Sequence, residues 1–372
     1  MHDNYFVIDG VGHSYDTRAD NRKDGLPLEA YNGYISWLYG FGHTPLESTA
    51  GDYMLSVDEW SSGWTNEELF RMFFIESATD IVVIHDVNFY NFFKRGANPW
   101  PQSVELKKAA PERVMLYAAV DPLADRQEQL DHMAEAAEAG VSGFKFYPVS
   151  GLTDEKNHAI SYSFGDENVQ EYFEYARSLG INHIAIHKAM PTAIGPNEQD
   201  RPNDVNYAAA TFPDMTFEVV HSGWAFLEDC AAQLTMNPNI YANLELTANT
   251  IVRMPRRFGR SVGTLLAAAP NQVIFATGAP LTHPQPIIEA IADYSMPGDL
   301  QQEGFPELTP EIKADLFGGT FARMHGIDVD QRKIVLRDDE FARARTEYLA
   351  GDPAPWALKR ARVASELGRA AS

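Results

Sequence analysis

Short apolar runs alternate with longer amphipathic stretches along most of the chain, and eight of the runs have the length of β-strands. Between several of them, apolar residues recur at helical spacing, and glycine closes the segments ADRQEQLDHMAEAAEAG and ENVQEYFEYARSLG. The predicted strands are YFVIDGVGH from Tyr5, TDIVVIHD from Thr79, RVMLYAAVD from Arg113, VSGFKFYP from Val141, NHIAIHK from Asn182, TFEVVHSG from Thr216, NIYANLEL from Asn239 and QVIFATGAP from Gln272.

This alternation predicts an α/β fold with a parallel sheet, and eight strand–helix units can close into a (β/α)8 TIM barrel. An open, doubly wound sheet is the alternative, but no Gly-x-Gly-x-x-Gly motif follows the first strand. We therefore expect a barrel over residues 1–328 and a C-terminal helical extension over residues 329–372.

A long insertion separates the first two strands, with roughly 60 residues where ordinary connections have far fewer. It covers residues 14–77 and is rich in Tyr, Trp, Phe and Gly. Because it follows a barrel strand, it begins at the face where barrel active sites form and is a candidate cap for the site. Packing or dimerisation is an equally good interpretation.

Polar residues end many of the predicted strands. Since every second side chain of a barrel strand points inward, alternation places Val7, Asp9, Val11 and His13 on one face of the first strand. The same rule places Phe217, Val219 and His221 together on the sixth. The polar residues that it brings to the carboxyl-terminal rim are His13, His85, Lys145, Tyr147, His187, His221 and Glu245, with His283 in the loop after the eighth strand. Several imidazoles at one rim are typical of a site for a divalent transition metal.

In their order along the chain, these motifs resemble the amidohydrolase superfamily, specifically the amidohydrolase-related family that contains aminocarboxymuconate-semialdehyde decarboxylase. The resemblance covers about Tyr5 to Ile327 and depends on VIDGVGH, GFKFYP, AIHK, VVHSGW and IFATGAP. It implies a metal bound by both histidines of a first-strand His-x-His, a fifth-strand His and an eighth-strand Asp. A sixth-strand His would assist beside the metal.

Two of the positions implied by the resemblance carry other residues. Val11 stands at the first ligand position and Gly278 stands where the family has Asp, and neither side chain can coordinate a metal or move a proton. His13 and His187 match the remaining ligands, and the third ligand is left open between His221, Glu245 and His85. The resemblance thus implies one divalent ion, Zn, Mn or Fe, in a rearranged mononuclear site.

Other roles remain open for the charged residues near this rim. Glu245 is a candidate replacement for the missing base, because partial burial can raise the pKa of a carboxyl toward neutrality. It is alternatively a partner for Arg253 or a neighbouring arginine, and Arg253 is itself a candidate to bind a substrate carboxylate. Lys145 is expected to pair with a carboxylate or to bind a substrate anion. The predicted catalytic residues are His221, Glu245 and Lys145, and the predicted substrate contacts are Trp37, Trp60, Tyr147, Arg253 and His283.

These features favour metal-assisted hydrolysis of a small organic substrate, aromatic or carboxylate-bearing. Decarboxylation by a member of the same family is the first alternative, and metal-free acid–base chemistry of a lyase or isomerase is the second. A non-catalytic, ligand-binding family member is the third.

The composition restricts the partners. A net charge of −22 disfavours nucleic acid and anionic membranes, whose phosphates attract basic proteins. Cys230 is the single cysteine, so no internal disulfide can form, which fits the cytoplasm. Neither a signal peptide nor a membrane-spanning run is evident in the sequence. We expect a cytoplasmic homo-oligomer, a dimer or larger, that acts on a small molecule.

Overall fold

The fold is an eight-stranded parallel barrel, seen in a computed structural model that describes residues 5–46, 50–153, 159–191 and 197–370. Each strand pairs with the next in chain order. The strands are β1 Ile8–Gly12, β2 Ile81–His85, β3 Val114–Val120, β4 Gly143–Phe146, β5 His183–His187, β6 Thr216–Val220, β7 Ile240–Asn243 and β8 Val273–Ile274. Backbone bonds close the barrel: Gly10 N donates to Phe275 O at 3.0 Å, and His13 N donates to Ala279 O at 2.7 Å. The predicted TIM barrel is confirmed.

Helices cover the outside of the barrel. The insertion contains α1 Leu28–His43, α2 Val57–Ser61, α3 Asn66–Phe70 and a π-helical segment, Arg71–Glu76. The barrel helices are α4 Trp100–Ala109, α5 Arg126–Glu138, α6 Glu167–Ser178, α7 Val205–Thr211, α8 Leu227–Met236, α9 Thr250–Arg253, α10 Pro255–Ala268, α11 Pro284–Asp293, α12 Gly298–Gln302, α13 Pro310–Ala314 and α14 Thr320–His325, with a second π-helical segment at Asp315–Gly319. A short antiparallel hairpin, Val149–Thr153 with Ala159–Ser161, follows β4.

The C-terminal segment is helical, as predicted, and comprises α15 Val329–Leu336, α16 Glu340–Ala350 and α17 Ala357–Ala370. It packs against the insertion through polar contacts. The indole Nε1 of Trp356 donates to Tyr53 O at 2.7 Å, and Arg362 Nε lies 2.7 Å from Glu68 Oε1. Among the described residues, no helix combines the length and the apolar character needed to span a bilayer.

Apolar side chains form two layers on either side of the strands. The outer layer lies under the helices, where the ring centroids of Phe217 on β6 and Phe173 on α6 are 5.6 Å apart. The inner layer fills the barrel and includes Ile8, Ile81 and Ala185. Cys230 is buried on α8, and burial raises the pKa of its thiol to about 11, which suits a structural residue.

The strand register differs from simple alternation in β1. Val7 lies in the outer layer, whereas Ile8 and Val11 pack inside the barrel. The ladder between β1 and β2 shifts between Asp9 and Gly12, and an irregularity of this kind inverts the side-chain alternation beyond it. The expectation that Val7, Asp9, Val11 and His13 share one inward face was therefore wrong, although His13 does reach the barrel mouth.

The register of β6 was also predicted incorrectly. Phe217 and Val219 face the helices, while Val220 packs inside the barrel and Glu218 bonds there to the Tyr117 hydroxyl at 2.6 Å. His221 still points into the barrel mouth because its backbone is left-handed, with φ of 66°. A non-glycine residue rarely adopts this conformation, so it marks a local constraint at this position.

Candidate active site

Three histidines and one glutamate meet at the carboxyl-terminal end of the barrel. His13 Nε2 lies 3.1 Å from Glu245 Oε1, and His221 Nε2 lies 3.5 Å from Glu245 Oε2. His221 Nε2 is also 3.0 Å from His187 Nδ1. All four residues are at most 4% exposed. The structure thus brings together four of the residues that the sequence singled out.

Each imidazole is held from behind by a backbone carbonyl. His13 Nδ1 lies 3.0 Å from His85 O, His187 Nε2 lies 3.0 Å from Met190 O, and His221 Nδ1 lies 3.3 Å from Glu245 O. A carbonyl oxygen only accepts, so the outer nitrogens of His187 and His221 carry the proton. In these two neutral rings, the inner nitrogen is then left with a lone pair, which is how metal-binding histidines are usually oriented. His13 differs, because Asn98 Nδ2 lies 3.4 Å from its Nδ1 and its Nε2 donates to Glu245 Oε1.

Glu245 is ionised in this site, and burial keeps His187 and His221 neutral. Burial alone would raise the pKa of Glu245, but the neighbouring His221, the hydrogen bond from His13 and the charge of Lys145 hold it well below its usual range. Burial lowers the pKa of His221 to about 4 and that of His187 well below its usual value. The sequence-based expectation that burial raises the Glu245 pKa toward neutrality was wrong, because two imidazoles contact the carboxylate. With neutral His187 and His221, two lone pairs face each other, and a cation between them would relieve the repulsion.

The donor set fits a divalent ion in its chemistry, although the present positions of the side chains do not hold one. Three imidazole nitrogens and a carboxylate are common ligands of zinc and similar metals. Ligands of an ion with bonds of about 2.0–2.1 Å lie roughly 3.0–3.4 Å from one another, which is close to the contacts found here. In its present arrangement, no group of three or more His, Cys, Asp or Glu in the described part of the chain would hold a metal ion. The four side chains would therefore have to adjust to admit one.

The carboxylate of Glu245 fills the space of the residue that the resemblance places on the eighth strand. A Cβ atom at Gly278 would lie 2.7 Å from Glu245 Oε1, and Gly278 has a φ of 73°. Val11, at the first expected ligand position, packs among apolar residues inside the barrel. The carboxylate of the cluster therefore comes from the end of β7 and not from the segment after β8.

A narrow aromatic pocket lies over the four polar residues. Its aromatic lining consists of Tyr15, Tyr34, Trp37, Phe41, Phe89 and Tyr147. Tyr15 stacks on His13 with ring centroids 4.6 Å apart, and Tyr147 stacks on His187 at 5.0 Å. The helix α1 of the insertion supplies three of these rings, so this part of the insertion covers the site. Such a lining suits a small apolar or aromatic ligand.

Lys145 and His85 lie deeper in the barrel, and both are completely buried. Within the described part of the chain, Lys145 Nζ makes no hydrogen bond, whereas the His85 ring faces the backbone of Gly10. Lys145 therefore does not pair with a carboxylate, which was one of its two expected roles. Burial lowers its pKa to about 8. His85 stacks on Tyr117 at 4.6 Å and does not contact the four-residue cluster through its ring, so the structure does not support it as the third ligand.

Three of the predicted substrate contacts lie elsewhere. Trp60 is completely buried and donates from Nε1 to Pro280 O at 2.8 Å, which secures the loop after β8. His283 is buried against Glu76, with Nε2 to Oε2 at 3.4 Å. Arg253 is directed at Thr44 O at 3.3 Å on the exposed surface, and neither it nor its neighbouring arginines reach Glu245. Trp37 and Tyr147 do line the pocket.

Three pocket residues were missed by the sequence analysis, and only one of them carried a usable signal. Tyr15 follows His13 at the strand spacing of two and was within reach of the alternation rule. Met190, whose carbonyl anchors His187, and Phe89, which has a φ of 41°, lie in loops whose conformation no periodicity encodes.

Comparisons with known proteins agree with this architecture. The sequence matches the family model described as amidohydrolase over residues 72–327, and no curated protein matches it. An uncharacterised TIM-barrel protein from Bordetella bronchiseptica is similar in structure, with a TM-score of 0.55, 15% identity, and coverage of 86% of this chain and 98% of that one.

Two solved enzymes share the fold at lower identity. One is 5-carboxyvanillate decarboxylase from Novosphingobium aromaticivorans, complexed with manganese and 4-hydroxy-3-methoxy-5-nitrobenzoic acid, with a TM-score of 0.55, 11% identity, and coverage of 87% and 97%. The other is a probable 2-pyrone-4,6-dicarboxylic acid hydrolase from Acinetobacter baumannii with citric acid bound, with a TM-score of 0.51, 10% identity, and coverage of 86% and 99%. At these identities, the likeness establishes the fold alone.

Proposed function

This chain belongs to the amidohydrolase family, and we propose that it is an enzyme that hydrolyses a carboxylic-acid derivative of a small, largely apolar molecule with the help of one divalent metal ion. The observation that carries the proposal is the convergence of three imidazoles and one carboxylate under the aromatic pocket. Three imidazoles, each held from behind by a carbonyl, direct their inner nitrogens toward one another and toward an ionised carboxylate. Such a cluster calls for a cation.

His13, His187, His221 and Glu245 would hold the ion. When bound, it would supply a Lewis acid for the substrate carbonyl and a water molecule of lowered pKa, and Zn, Mn and Fe are all suitable. Manganese in a solved relative of the same fold supports this choice of chemistry. The carboxylate of Glu245 offsets the positive charge of the ion, and the carbonyl of Met190 fixes the tautomer and orientation of His187.

The remaining groups of the site bind the substrate and exclude water. Six aromatic side chains cover the mouth, and Tyr147 stacks directly on His187. A planar substrate group would fit between such rings at little entropic cost, since aromatic side chains have few rotatable bonds. Glu245, held ionised by two imidazoles, is suited to accept a hydrogen bond from an attacking water and to orient it.

Decarboxylation of a small aromatic carboxylic acid is the second candidate, and the largely apolar lining of the pocket favours it. The residues that line it carry apolar or aromatic side chains, apart from the three histidines and Glu245. A dry environment of this kind removes the hydration shell that stabilises a carboxylate before carbon dioxide leaves. Two solved decarboxylases of the same fold act on substituted benzoates by name, which supports this alternative.

Metal content and turnover test the proposal together. Purified protein should retain close to one equivalent of a divalent metal by plasma mass spectrometry, and a chelator should abolish activity that the same metal restores. Aryl esters, amides and lactones serve to detect hydrolysis, whereas hydroxybenzoates assayed for released carbon dioxide detect decarboxylation. An active protein that contains no metal and ignores the chelator would refute the proposal and favour metal-free acid–base chemistry.

A further inference from the structure

The aromatic pocket, as it stands, is smaller than the ligands that its lining suits. It encloses a cavity of about 40 Å³ above the cluster. A cavity that admits benzene measures about 150 Å³, whereas a single water molecule needs only about 10–15 Å³. A substrate ring therefore needs space that the neighbouring side chains must give up.

A second cavity, the outer cleft, lies beside this pocket at the same end of the barrel. It has a volume of about 100 Å³ and is lined by residues 88–91 after β2, by Val120 and Asp121 at the end of β3, and by Lys23. Within the described part of the chain, Phe89 and Tyr147 are the two residues that line both cavities. Their rings meet edge to face, with centroids 5.0 Å apart, and form the wall between the cavities.

Phe89 is the less constrained half of this wall. Tyr147 is held on two sides, because its ring stacks on His187 at 5.0 Å and faces the ammonium of Lys145 at 5.1 Å. Phe89 is half-buried and lies in a loop, where its backbone is left-handed with a φ of 41°. A bulky residue rarely adopts this conformation, and such strain gathers at ligand-binding sites. With the Phe89 ring turned aside, the two cavities would become one.

The outer cleft is polar, and its charges balance. Lys23 contributes a cation and Asp121 a carboxylate, which accepts a hydrogen bond from Leu123 N at 3.0 Å and can accept more. Asn88 adds an amide that both donates and accepts. A charged group in the cleft would meet a side chain of its own sign. A neutral group that donates and accepts hydrogen bonds, such as a hydroxyl or a carboxamide, would not.

We propose that the substrate spans both cavities, with its reacting group above the cluster and a neutral, hydrogen-bonding end group in the outer cleft, and that Phe89 sets the length of substrate that fits. The inference rests on the proposed function for the reaction, but not for the binding. It narrows the substrates to elongated molecules that are apolar along the aromatic pocket and polar at the far end.

Two aromatic alcohols without a hydrolysable bond test the role of Phe89 by calorimetric titration of the full-length protein. Benzyl alcohol is short enough to remain in the aromatic pocket, whereas 4-phenylbutan-1-ol is long enough to reach the outer cleft. Phe89→Ala should tighten binding of the longer alcohol about 2- to 10-fold relative to the shorter one, because no ring then has to leave Tyr147. The conservative variant Phe89→Leu should act in the same direction by a smaller factor. An equal change for both alcohols, or a loss confined to the longer one, would overturn the assignment.

Phe41→Ala is the matched control. Phe41 is another ring of the aromatic pocket, but it takes no part in lining the outer cleft. Its removal should weaken the binding of both alcohols by a similar factor. If Phe41→Ala, and not Phe89→Ala, raised the preference for the longer alcohol, the ligand would extend toward α1 and the assignment would be wrong.

A charged probe of the same length, 4-phenylbutyrate, tests the outer cleft itself. Asp121→Asn keeps the shape of the side chain but removes its charge, so it should tighten 4-phenylbutyrate binding about 2- to 5-fold. Lys23→Met should weaken it by a similar factor. Neither variant should change benzyl alcohol binding. If both variants leave 4-phenylbutyrate binding unchanged, the end group does not lie in the cleft.

Because the protein does not turn these probes over, the result is separable from the proposed function. Length selectivity that depends on Phe89, in a protein without metal or hydrolytic activity, would support this inference while refuting the proposed function. A metal-dependent hydrolase whose preference between the two alcohols is insensitive to Phe89→Ala would do the reverse.

Discussion

Gly278→Ala tests most directly whether Glu245 has taken the place of a side chain at position 278. A Cβ at Gly278 would lie 2.7 Å from Oε1 and 3.1 Å from Cγ of Glu245, closer than side chains normally approach. The backbone there has a φ of 73°, which L-residues other than glycine adopt at a cost. Alanine at this position should therefore push the Glu245 carboxylate away from His13 and His221.

The expected cost has two parts. The left-handed backbone accounts for about 1–2 kcal/mol with any non-glycine residue. Crowding against a buried side chain adds about 1–3 kcal/mol. In a Glu245→Ala background the crowding atoms are absent, so Gly278→Ala should then cost only the backbone part. The difference predicts a coupling free energy of about 1–3 kcal/mol between the two positions.

Urea unfolding of the wild type, the two single variants and the double variant measures this coupling. Gly180→Ala is the matched control, because Gly180 has a φ of 78° and a Cβ at that position would have no atom within 4 Å. It should show the backbone cost alone. If Gly278→Ala lowers the free energy of unfolding equally in both backgrounds, within about 0.5 kcal/mol, then Glu245 does not occupy the position and the reasoning fails.

Three further predictions concern the metal and the pH dependence of stability. His187→Ala should abolish metal binding, whereas His85→Ala should retain it, as measured by mass spectrometry; equal losses would contradict the assigned ligands. Gly278→Asp alone should not tighten metal binding, because Glu245 leaves no room for a second carboxylate. In the Glu245→Ala variant, however, Gly278→Asp should restore metal binding. If the folded double variant binds no metal, a carboxylate at position 278 cannot replace that of Glu245. Burial raises the pKa of Asp9 from 3.8 to about 7, so the folded chain holds a proton that the unfolded chain releases, and stability should fall as pH rises from about 4 to 7. In Asp9→Asn, the melting temperature should depend less on pH over this range. An unchanged dependence would refute the raised pKa of Asp9.

The barrel could be predicted because its signal is distributed over the whole chain. Eight apolar runs, separated by segments with helical periodicity, allow few arrangements other than a parallel barrel. The same logic located His13, His187, His221 and Glu245, since polar residues that end buried strands gather at one rim. These predictions needed only the order of the elements and not their detailed conformation.

What could not be predicted depends on single backbone conformations. The shift in β1 and the left-handed backbone of His221 each invert the side-chain alternation locally. The alternation of apolar and polar residues along a strand does not reveal either feature. Trp60 and His283 were predicted as substrate contacts but lie outside the pocket, for a similar reason. Both follow the expected elements, but their partners, Pro280 O and Glu76, lie far away in sequence, and only the packed loops decide which way such side chains turn.

Val11 and Gly278 stand at two expected metal-ligand positions, yet the cluster still contains the same number and types of donor groups. The resemblance implies four donors, three imidazoles and one carboxylate, and the structure also brings together three imidazoles and one carboxylate. His221 adds an imidazole where Val11 cannot, and Glu245 supplies the carboxylate that Gly278 lacks. Glutamate is one methylene longer than aspartate, which allows a residue at the end of β7 to reach the space above the segment that follows β8. Because glycine at 278 is what leaves that space open, the two changes depend on each other, and either one alone would leave the cluster with two carboxylates in conflict or with none.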